Sequence, residues 1–256
     1  MSYLFCVVPV CPVRSEPSHK SEQVSQLIFG ETAQFLEASG DFVKVRCHYD
    51  SYDGWCQATQ LQEAKSVIEA DNNIKICANW VNEIIINGKK MFIPFASVVS
   101  FENNFSRADG KNEIVYNGKF LKPSEQLFTD ETVKKLTYTF INSPYLWGGR
   151  SVFGIDCSGF TQLVFKCLNI PLLRDASQQA TQGEAIGFLM EAKCGDLVFF
   201  DNEAGKITHV GILLDAGTII HSSGKVRVDT IDNFGIVNSD TGKRTHNLRV
   251  IKRMVV

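Results

Sequence analysis

The sequence predicts an α+β protein in which two small β modules precede a larger domain of helices followed by antiparallel strands. Three observations lead to this prediction. The chain has 256 residues, which is long for one compact domain. Short apolar runs separated by turn residues fill its first half. Helical periodicity begins only after Lys122-Pro123-Ser124.

The first module is predicted over residues 1–63. Its apolar runs, such as residues 24–29 and 42–45, are short and are separated by turn formers such as Ser39-Gly40-Asp41. Runs of this length and spacing are typical of a small β-barrel or sandwich.

The second module is predicted over residues 66–122, which have the same pattern of short apolar runs separated by turn residues. Ile84-Ile85-Ile86 followed by Asn87-Gly88 predicts a type I′ hairpin, and Asn117-Gly118 after Val115-Tyr116 predicts a second one. A module of roughly 60 residues is marginally stable alone, so we expect both β modules to dock on something larger.

The third domain is predicted over residues 124–256. Thr129 or Asp130 is expected to cap a helix running to about residue 140, and Cys157 begins a second helix. The remaining apolar stretches predict strands at residues 196–200, 209–214, 218–221, 226–228 and 248–256.

Charge and composition limit the partners. The 26 basic and 28 acidic residues nearly cancel, which argues against binding to nucleic acid or anionic membranes by bulk electrostatics. The first apolar run, residues 3–13, has no basic start and contains two prolines. It is far shorter than the ~20 residues of a membrane helix. We therefore expect a cytoplasmic protein with free thiols.

Cys157 is a candidate nucleophile because the first turn of a helix offers unpaired N–H groups and a positive dipole end, which favour a thiolate. The alternative on position alone is a buried apolar cysteine. Cys167 lies on the apolar stripe of the same helix and fits that alternative better.

A cysteine nucleophile needs an imidazole, and the chain has five histidines. His209 and His221 flank the turn Asp215-Ala216-Gly217 in a predicted hairpin. A three-residue loop places the two rings on one sheet face, within about 7 to 8 Å. A two-residue loop would place them on opposite faces, and each ring alone could be a polar group near a sheet edge. The other three histidines lie in polar, loop-like surroundings and receive no predicted role: His19, His48 and His246.

No metal or cofactor is predicted. Zinc bound by Cys157, His209 and His221 would lack a fourth ligand, and the spacing matches no common zinc site. Gly148-Gly149 is not a phosphate loop, because the helix that follows lacks Gly-Lys-Ser/Thr.

Five ordered blocks across residues 125–256 resemble the NlpC/P60 cysteine peptidases, which have a papain-like fold. The blocks are Tyr145-Leu146-Trp147-Gly148-Gly149, Gly154-Ile155-Asp156-Cys157-Ser158-Gly159-Phe160, Arg174-Asp175-Ala176-Ser177-Gln178-Gln179, Gly195-Asp196-Leu197-Val198-Phe199-Phe200, and His209-Val210-Gly211-Ile212 ending at His221-Ser222-Ser223.

The front of the chain resembles a bacterial SH3 domain. The resemblance is carried by residues 13–18, residues 27–31 and Tyr52-Asp53-Gly54-Trp55. Residues 66–122 are interpreted as a second, divergent SH3-like β-barrel module. The whole arrangement is similar to the γ-D-glutamyl-L-diamino acid endopeptidases, also called dipeptidyl-peptidase VI. That family cuts cell-wall stem peptides with a free N-terminal L-Ala after the γ-linked D-Glu.

The resemblance implies roles for individual residues. Cys157 would be the nucleophile, His209 the base, holding a proton beside the thiolate, and His221 the third polar member of the triad. The implied substrate-binding residues are Glu16, Tyr52, Trp147, Asp156, Ser158, Asp175 and Ser177. Four of these also have a structural interpretation as helix caps or packing: Asp156, Asp175, Ser177 and Trp147. Tyr49 could replace Tyr52.

The resulting expectation is a monomeric cytoplasmic hydrolase that releases L-Ala-γ-D-Glu from murein tripeptides or tetrapeptides for recycling. An SH3-derived wall of the cleft would exclude longer or N-acylated substrates. One alternative is a hydrolase of intact peptidoglycan that uses the SH3 modules as wall-binding anchors. A non-enzymatic alternative joins SH3 modules to an inactive papain-like domain, but it leaves the cysteine and histidine pair unexplained. The sequence does not choose between meso-diaminopimelate and L-Lys at the third stem position.

Overall fold

A computed structural model describes residues 2–64, 67, 74–100 and 114–254. The chain divides into two compact units. The N-terminal unit consists of Met1–Gln126 and Trp147–Phe153, and the C-terminal unit of Leu127–Leu146 and Gly154–Val256. Within the described ranges, no helix has the length and apolar character needed to cross a membrane.

The first module of the N-terminal unit is one antiparallel sheet in the strand order β3-β2-β6-β5-β4-β1-β7. Alternate side chains of these strands point into a common core, in which four cysteines pack with valine, leucine and alanine. The strands are β1 (Tyr3–Cys6), β2 (Val10–Arg14), β3 (Gln23–Ile28), β4 (Thr32–Ser39), β5 (Phe42–Cys47), β6 (Asp53–Gln57) and β7 (Leu61–Ala64).

The second module contains two small sheets, one in the order β10-β9-β11 and one that pairs β12 with β8. Its strands are β8 (Ile76–Cys77), β9 (Val81–Ile86), β10 (Lys89–Pro94), β11 (Ile114–Val115) and β12 (Phe120–Leu121). The hairpin predicted at Asn87-Gly88 is confirmed: both residues have positive φ, as a type I′ turn requires, and Ile86 pairs with Lys89.

The second predicted hairpin is wrong. β11 pairs with β9 and β12 pairs with β8, so the two strands flanking Asn117-Gly118 do not pair with each other. The Tyr116 hydroxyl instead donates to the carbonyl of Lys119 at 2.6 Å and meets Asn82 Oδ1 at 3.0 Å, which bends the segment away from a hairpin. The parts of the predicted module at residues 66, 68–73 and 101–113 lie outside the described residues.

A short segment, residues 147–153, folds with the N-terminal unit although both of its chain neighbours belong to the C-terminal unit. It contains β13 (Arg150–Ser151). The fully buried Arg150 guanidinium forms two hydrogen bonds with Glu31, of 2.9 and 3.1 Å, and one with the Gln26 carbonyl of 2.6 Å. These buried contacts explain why the segment leaves the domain predicted over residues 124–256.

The C-terminal unit has three α-helices, α1 (Asp130–Tyr138), α2 (Cys157–Cys167) and α3 (Ala176–Gln179). The prediction that Thr129 caps the first helix is confirmed, because its side chain accepts a hydrogen bond from the Thr132 N–H. Every residue of α2 is buried, including its polar ones, so this helix lies inside the unit and has no solvent face.

The strands of the C-terminal unit form a sheet in the order β15-β21-β16-β17-β18-β19-β20, and a further pairing of β20 with β21 closes a barrel. Besides β14 (Gly154–Ile155), the strands are β15 (Glu184–Ile186), β16 (Leu197–Asp201), β17 (Ile207–Asp215), β18 (Thr218–Ser223), β19 (Lys225–Asp232), β20 (Gly235–Val237) and β21 (Arg244–Arg253). The strand predicted at residues 248–256 therefore begins earlier, and residues 255–256 lie outside the described ones.

Candidate active site

Cys157 is the first residue of α2. Asp156 caps the helix by accepting a hydrogen bond from the Gly159 N–H at 2.7 Å. Burial, followed by the negative charge of Asp156, raises the pKa of the Cys157 thiol to about 12, while N–H groups of Val210 and Ser158 act in the opposite direction. Burial therefore favours the protonated thiol, although hydrogen-bond donors are in place to stabilise a thiolate.

His209 and His221 lie on neighbouring strands, β17 and β18. The predicted register is confirmed, since Gly211 pairs with His221. The turn differs from the prediction: Asp215 pairs with Thr218 across a two-residue loop, and a bulge between Leu213 and Asp215 adds one residue to β17. A bulge shifts the register by one residue, so the short loop still leaves both rings on one face.

The two histidine rings are linked in a buried chain of hydrogen bonds. His209 Nε2 lies 2.8 Å from His221 Nδ1, and His221 Nε2 lies 3.0 Å from Asp229 Oδ2. Both rings and Asp229 are almost fully buried. His209 therefore has its Nδ1 free of this chain, which leaves that nitrogen available to accept a proton.

Burial lowers the pKa of His209 well below its ordinary value, and the neighbouring rings of His221 and His246 lower it further. The thiol pKa of Cys157 moves in the opposite direction, so burial favours the neutral form of each group taken separately. The resting thiolate–imidazolium pair implied by the resemblance stays a prediction.

The start of α2 is held by a buried arginine. Arg174 donates to both Asp156 oxygens, at 3.0 and 2.6 Å, and to the Ser158 hydroxyl at 2.9 Å. Gln179 donates to the Ser158 carbonyl at 3.0 Å. Asp156 and Ser158, which are predicted to bind substrate, thus lie in a buried network that fixes the turn carrying Cys157.

The prediction that His246 lies in loop-like surroundings is wrong: it lies on β21 opposite Ile236. Its ring stacks on that of His209, with centroids 4.1 Å apart and planes at 23°. The strand signal was hidden at His246 because the first four residues of β21 are all polar.

One nitrogen from each of His209, His221 and His246 lies within 4.8 Å of the others. Among the described residues, these three rings form a cluster that could hold a metal ion. The stacked rings of His209 and His246 direct their in-plane lone pairs nearly parallel, however, so both would have to rotate before they could bind one ion.

Two further residues of the site were missed. Asp229 could have been found from the tight turn at Gly224, which places His221 opposite Arg227 and Asp229 diagonally beyond it. Tyr145 precedes the nucleophile helix, and burial followed by the charge of Cys157 raises its pKa to about 12. The raised pKa favours the protonated phenol at neutral pH.

The other predicted substrate-binding residues fall in both units. Asp175 and Gln178 form a capping box at the start of α3, where Ser177 is exposed. In the N-terminal unit, Glu16 is exposed in the turn after β2, and Tyr52 packs against the core of the first module.

Trp147 and Tyr49, two aromatic residues of the N-terminal unit, each have contacts within that unit. Trp147 Nε1 donates to Glu22 Oε1 at 2.6 Å. Tyr49, the alternative to Tyr52, lies beneath the Arg150 guanidinium at 5.9 Å. The substrate contacts of the seven residues stay predictions.

Comparisons with known proteins identify the family. Residues 142–244 match the NlpC/P60 family, and residues 13–61 match the bacterial dipeptidyl-peptidase SH3 domain. The chain is 31% identical over 217 residues to the γ-D-glutamyl-L-lysine dipeptidyl-peptidase of Bacillus subtilis, an alignment that covers 77% of this chain and 71% of that protein. The chain belongs to the NlpC/P60 family.

A similarly named NlpC/P60 relative from Bacillus cereus is 25% identical, over 87% of this chain and 74% of its own length. The crystal structure of an NlpC/P60 family protein from Bacillus cereus covers 99% of both chains with a TM-score of 0.81 at 19% identity, which supports the fold. The predicted NlpC/P60 fold with an N-terminal SH3 domain is thus confirmed, as is a peptidase activity of the cysteine type. The SH3 interpretation of residues 66–122 stays a prediction.

Proposed function

We propose that this NlpC/P60 peptidase hydrolyses the bond between γ-linked D-Glu and the diamino acid of murein stem peptides that carry a free N-terminal L-Ala. The products would be L-Ala-γ-D-Glu and a peptide or amino acid beginning with the diamino acid. The observation that carries the proposal is the buried pair of His209 and His221, together with a cysteine at a helix start that receives the N–H of Val210, the residue after His209. The relatives' names supply the substrate class.

In the proposed reaction, Cys157 is the nucleophile and His209 the base. His209 Nδ1 takes the thiol proton while the sulfur attacks the γ-carbonyl carbon, so no thiolate has to persist in a buried site. The carbonyl oxygen becomes an oxyanion. The backbone N–H of Cys157 has no intrahelical partner at the first helical position and would stabilise this charge.

Collapse of the tetrahedral intermediate breaks the C–N bond, and His209 returns its proton to the leaving amine of the diamino acid. Water then attacks the γ-glutamyl thioester and gives up a proton to His209. The new C–O bond replaces the C–S bond, so L-Ala-γ-D-Glu leaves with a free carboxylate and Cys157 regains its thiol.

Recognition of a free α-amine requires acceptor groups. We assign this role to Glu16, Tyr52 and Asp175, and we assign contacts with the rest of the peptide to Trp147, Asp156, Ser158 and Ser177. A free amine is present on released stem peptides and absent where L-Ala is still joined to muramic acid. This preference would make the protein a recycling enzyme acting on peptides in the cytoplasm.

The test compares three purified substrates: L-Ala-γ-D-Glu-L-Lys, L-Ala-γ-D-Glu-meso-diaminopimelate, and the second peptide with its amine acylated by muramic acid. We expect release of L-Ala-γ-D-Glu from at least one free peptide and a loss of at least about 100-fold on acylation, because a site for an ammonium rejects a neutral amide. The ratio of the first two rates identifies the diamino acid.

Equal rates on free and acylated peptides would overturn the recycling role and favour a hydrolase of intact peptidoglycan. Absence of turnover on all three, with an intact fold, would overturn the proposed bond specificity. Cys157→Ala serves as the blank for contaminating peptidases.

A further inference from the structure

We propose that Asp229 is a positioning residue that determines, through His221, which nitrogen of His209 accepts the proton of the nucleophile. This inference rests on the proposed function in one respect, the role of His209 as the base. It adds a fourth residue to the three implied by the family resemblance, and it predicts the tautomer of both rings.

Asp229 is surrounded by donors. Its Oδ2 accepts from Arg227 Nε at 2.8 Å and lies 3.0 Å from His221 Nε2. Its Oδ1 accepts from the Ser239 N–H and from Arg227 Nη2, both at 2.8 Å. Arg227 also donates to Asp240 at 2.9 Å, which keeps the guanidinium in place.

These donors keep Asp229 ionised. Burial alone would raise its pKa, but hydrogen bonds from His221, Arg227 and Ser239 together hold it below the usual value. An ionised carboxylate can only accept hydrogen bonds. His221 must therefore carry its proton on Nε2.

The position of the proton on His221 determines the position of the proton on His209. A neutral His221 with a proton on Nε2 has a bare Nδ1, and that atom lies 2.8 Å from His209 Nε2. His209 must then donate from Nε2, which leaves its own Nδ1 without a proton. Asp229 thus sets the one tautomer in which His209 can act as a base, although it touches neither the substrate nor Cys157.

Asp229→Asn tests this chain because it changes one oxygen to an NH₂ group with little change of shape. The Ser239 N–H and Arg227 Nη2 both require an acceptor at the Oδ1 position, so the amide oxygen occupies that position, the NH₂ faces His221, and the hydrogen bond from Arg227 Nε is lost. His221 then accepts at Nε2 and carries its proton on Nδ1. His209 becomes the acceptor at Nε2, and its proton moves to Nδ1, where the base is needed.

The experiment measures imidazole ¹⁵N chemical shifts by NMR in the full chain, together with kcat and KM on the peptide that the wild type cleaves. In the wild type we expect both His209 and His221 to be protonated at Nε2. In Asp229→Asn we expect both protons on Nδ1, a fall in kcat of about 10² to 10⁴-fold, and an unchanged KM.

Asp196→Asn is the matched control. Asp196 is also buried, receives two hydrogen bonds from one arginine, Arg253, at 2.9 and 2.7 Å, and accepts one backbone N–H, that of Lys193, at 2.8 Å. It contacts no histidine in these hydrogen bonds. We expect the control to lose comparable stability while its histidine tautomers and kcat stay at the wild-type values.

Protonation of wild-type His209 at Nδ1 would overturn the proposal, and this measurement requires no variant to fold. Equal losses of kcat in Asp229→Asn and Asp196→Asn, with unchanged tautomers, would also overturn it. A wild-type protein with the expected tautomers but no peptidase activity would contradict the proposed function and leave the tautomer assignment intact.

Discussion

Helix α2 begins with Cys157 and ends with Cys167, and the two thiols share several properties. Both are buried, and burial raises the pKa of each to about 12. Their neighbours differ. Cys157 has the Val210 N–H and the Asp156–Arg174 pair beside it, whereas Lys166 is the charged group that acts on Cys167. Burial and thiol pKa therefore do not distinguish a reactive cysteine in this protein. What distinguishes the reactive cysteine is the presence of groups that can accept its proton and stabilise the charge on its sulfur.

The first prediction tests the difference between the two cysteines by removing each sulfur in turn. We expect Cys157→Ala to lower kcat by about 10⁴-fold or more, because the nucleophile is lost. Cys167→Ala should keep kcat within about twofold and lower the free energy of unfolding by about 1 kcal/mol. Steady-state kinetics and chemical denaturation measure both, and comparable activity losses in the two variants would contradict the assignment.

The second prediction concerns the arginine behind the start of α2. We expect Arg174→Met to lower the free energy of unfolding by about 3 to 5 kcal/mol, because it leaves the buried charge of Asp156 without its partner. Activity should fall as well, since that charge raises the pKa of Cys157.

Arg150→Met is the matched variant, because Arg150 is equally buried and pairs with Glu31 in the N-terminal unit. It should cost similar stability. At a temperature where both variants are folded, kcat should fall more in Arg174→Met. Equal values of kcat would mean that the Asp156 charge does not reach the sulfur.

The third prediction uses pH. Because the pKa of His209 is lowered, its neutral form persists below pH 6.5, and kcat/KM should decline only in more acidic solution. His246→Phe keeps a ring against His209 and removes a charge that lowers its pKa. The acidic limb of kcat/KM should therefore move to higher pH. A pH–rate profile that matches the wild type would show that the stacked ring acts by shape alone.

The same substitution has a stability signature of defined sign. Burial lowers the pKa of His246 to about 4, so between the ordinary value of about 6.5 and this value the unfolded chain binds more protons than the folded one. Stability from this group is present above pH 6.5 and is lost as the pH falls toward 4. Thermal unfolding between pH 7 and 4 should show a smaller decline for His246→Phe than for the wild type.

The smallest expected effect lies in the middle of α2. The Thr161 hydroxyl lies 2.7 Å from Gln179 Oε1, and Gln179 in turn holds the Ser158 carbonyl. Thr161→Val should cost about 1 to 2 kcal/mol, because it leaves a buried amide oxygen without its donor. Thr137→Val is the control: this equally buried hydroxyl donates to the Lys134 carbonyl within α1 and should cost less. Equal losses in the free energy of unfolding, measured by denaturation, would show that the hydrogen bond between Thr161 and Gln179 adds no stability.

The sequence predicts the elements whose signal is local. The cap at Thr129, the turn at Asn87-Gly88 and the cysteine at the start of α2 each follow from one or two residue types in order. The pairing of His209 with His221 follows from the sequence only for a three-residue loop, and the observed two-residue loop gives the same register because of a bulge that the sequence does not predict.

What the sequence does not predict depends on distant parts of the chain. His246 reaches the site only because β21 belongs to the same barrel as β17, and the first four residues of β21 are polar. Asn117-Gly118 carries a local hairpin signal that tertiary pairing overrides. The raised pKa of the thiol follows from burial, which only the assembled fold determines.

The excursion at residues 147–153 limits how this protein can exchange parts in evolution. Pro144 to Leu146 meet Ile155 within the C-terminal unit, so the loop leaves and returns at one place, while its Arg150 is built into the other unit. A gene fusion that replaced everything before residue 127 would bring in a front module with no counterpart to Glu31 and Gln26. A C-terminal unit joined to a different N-terminal module would keep the buried contacts of Arg150 only if that module also supplied a glutamate and a glutamine at these positions. Otherwise the sequence of the loop would have to change.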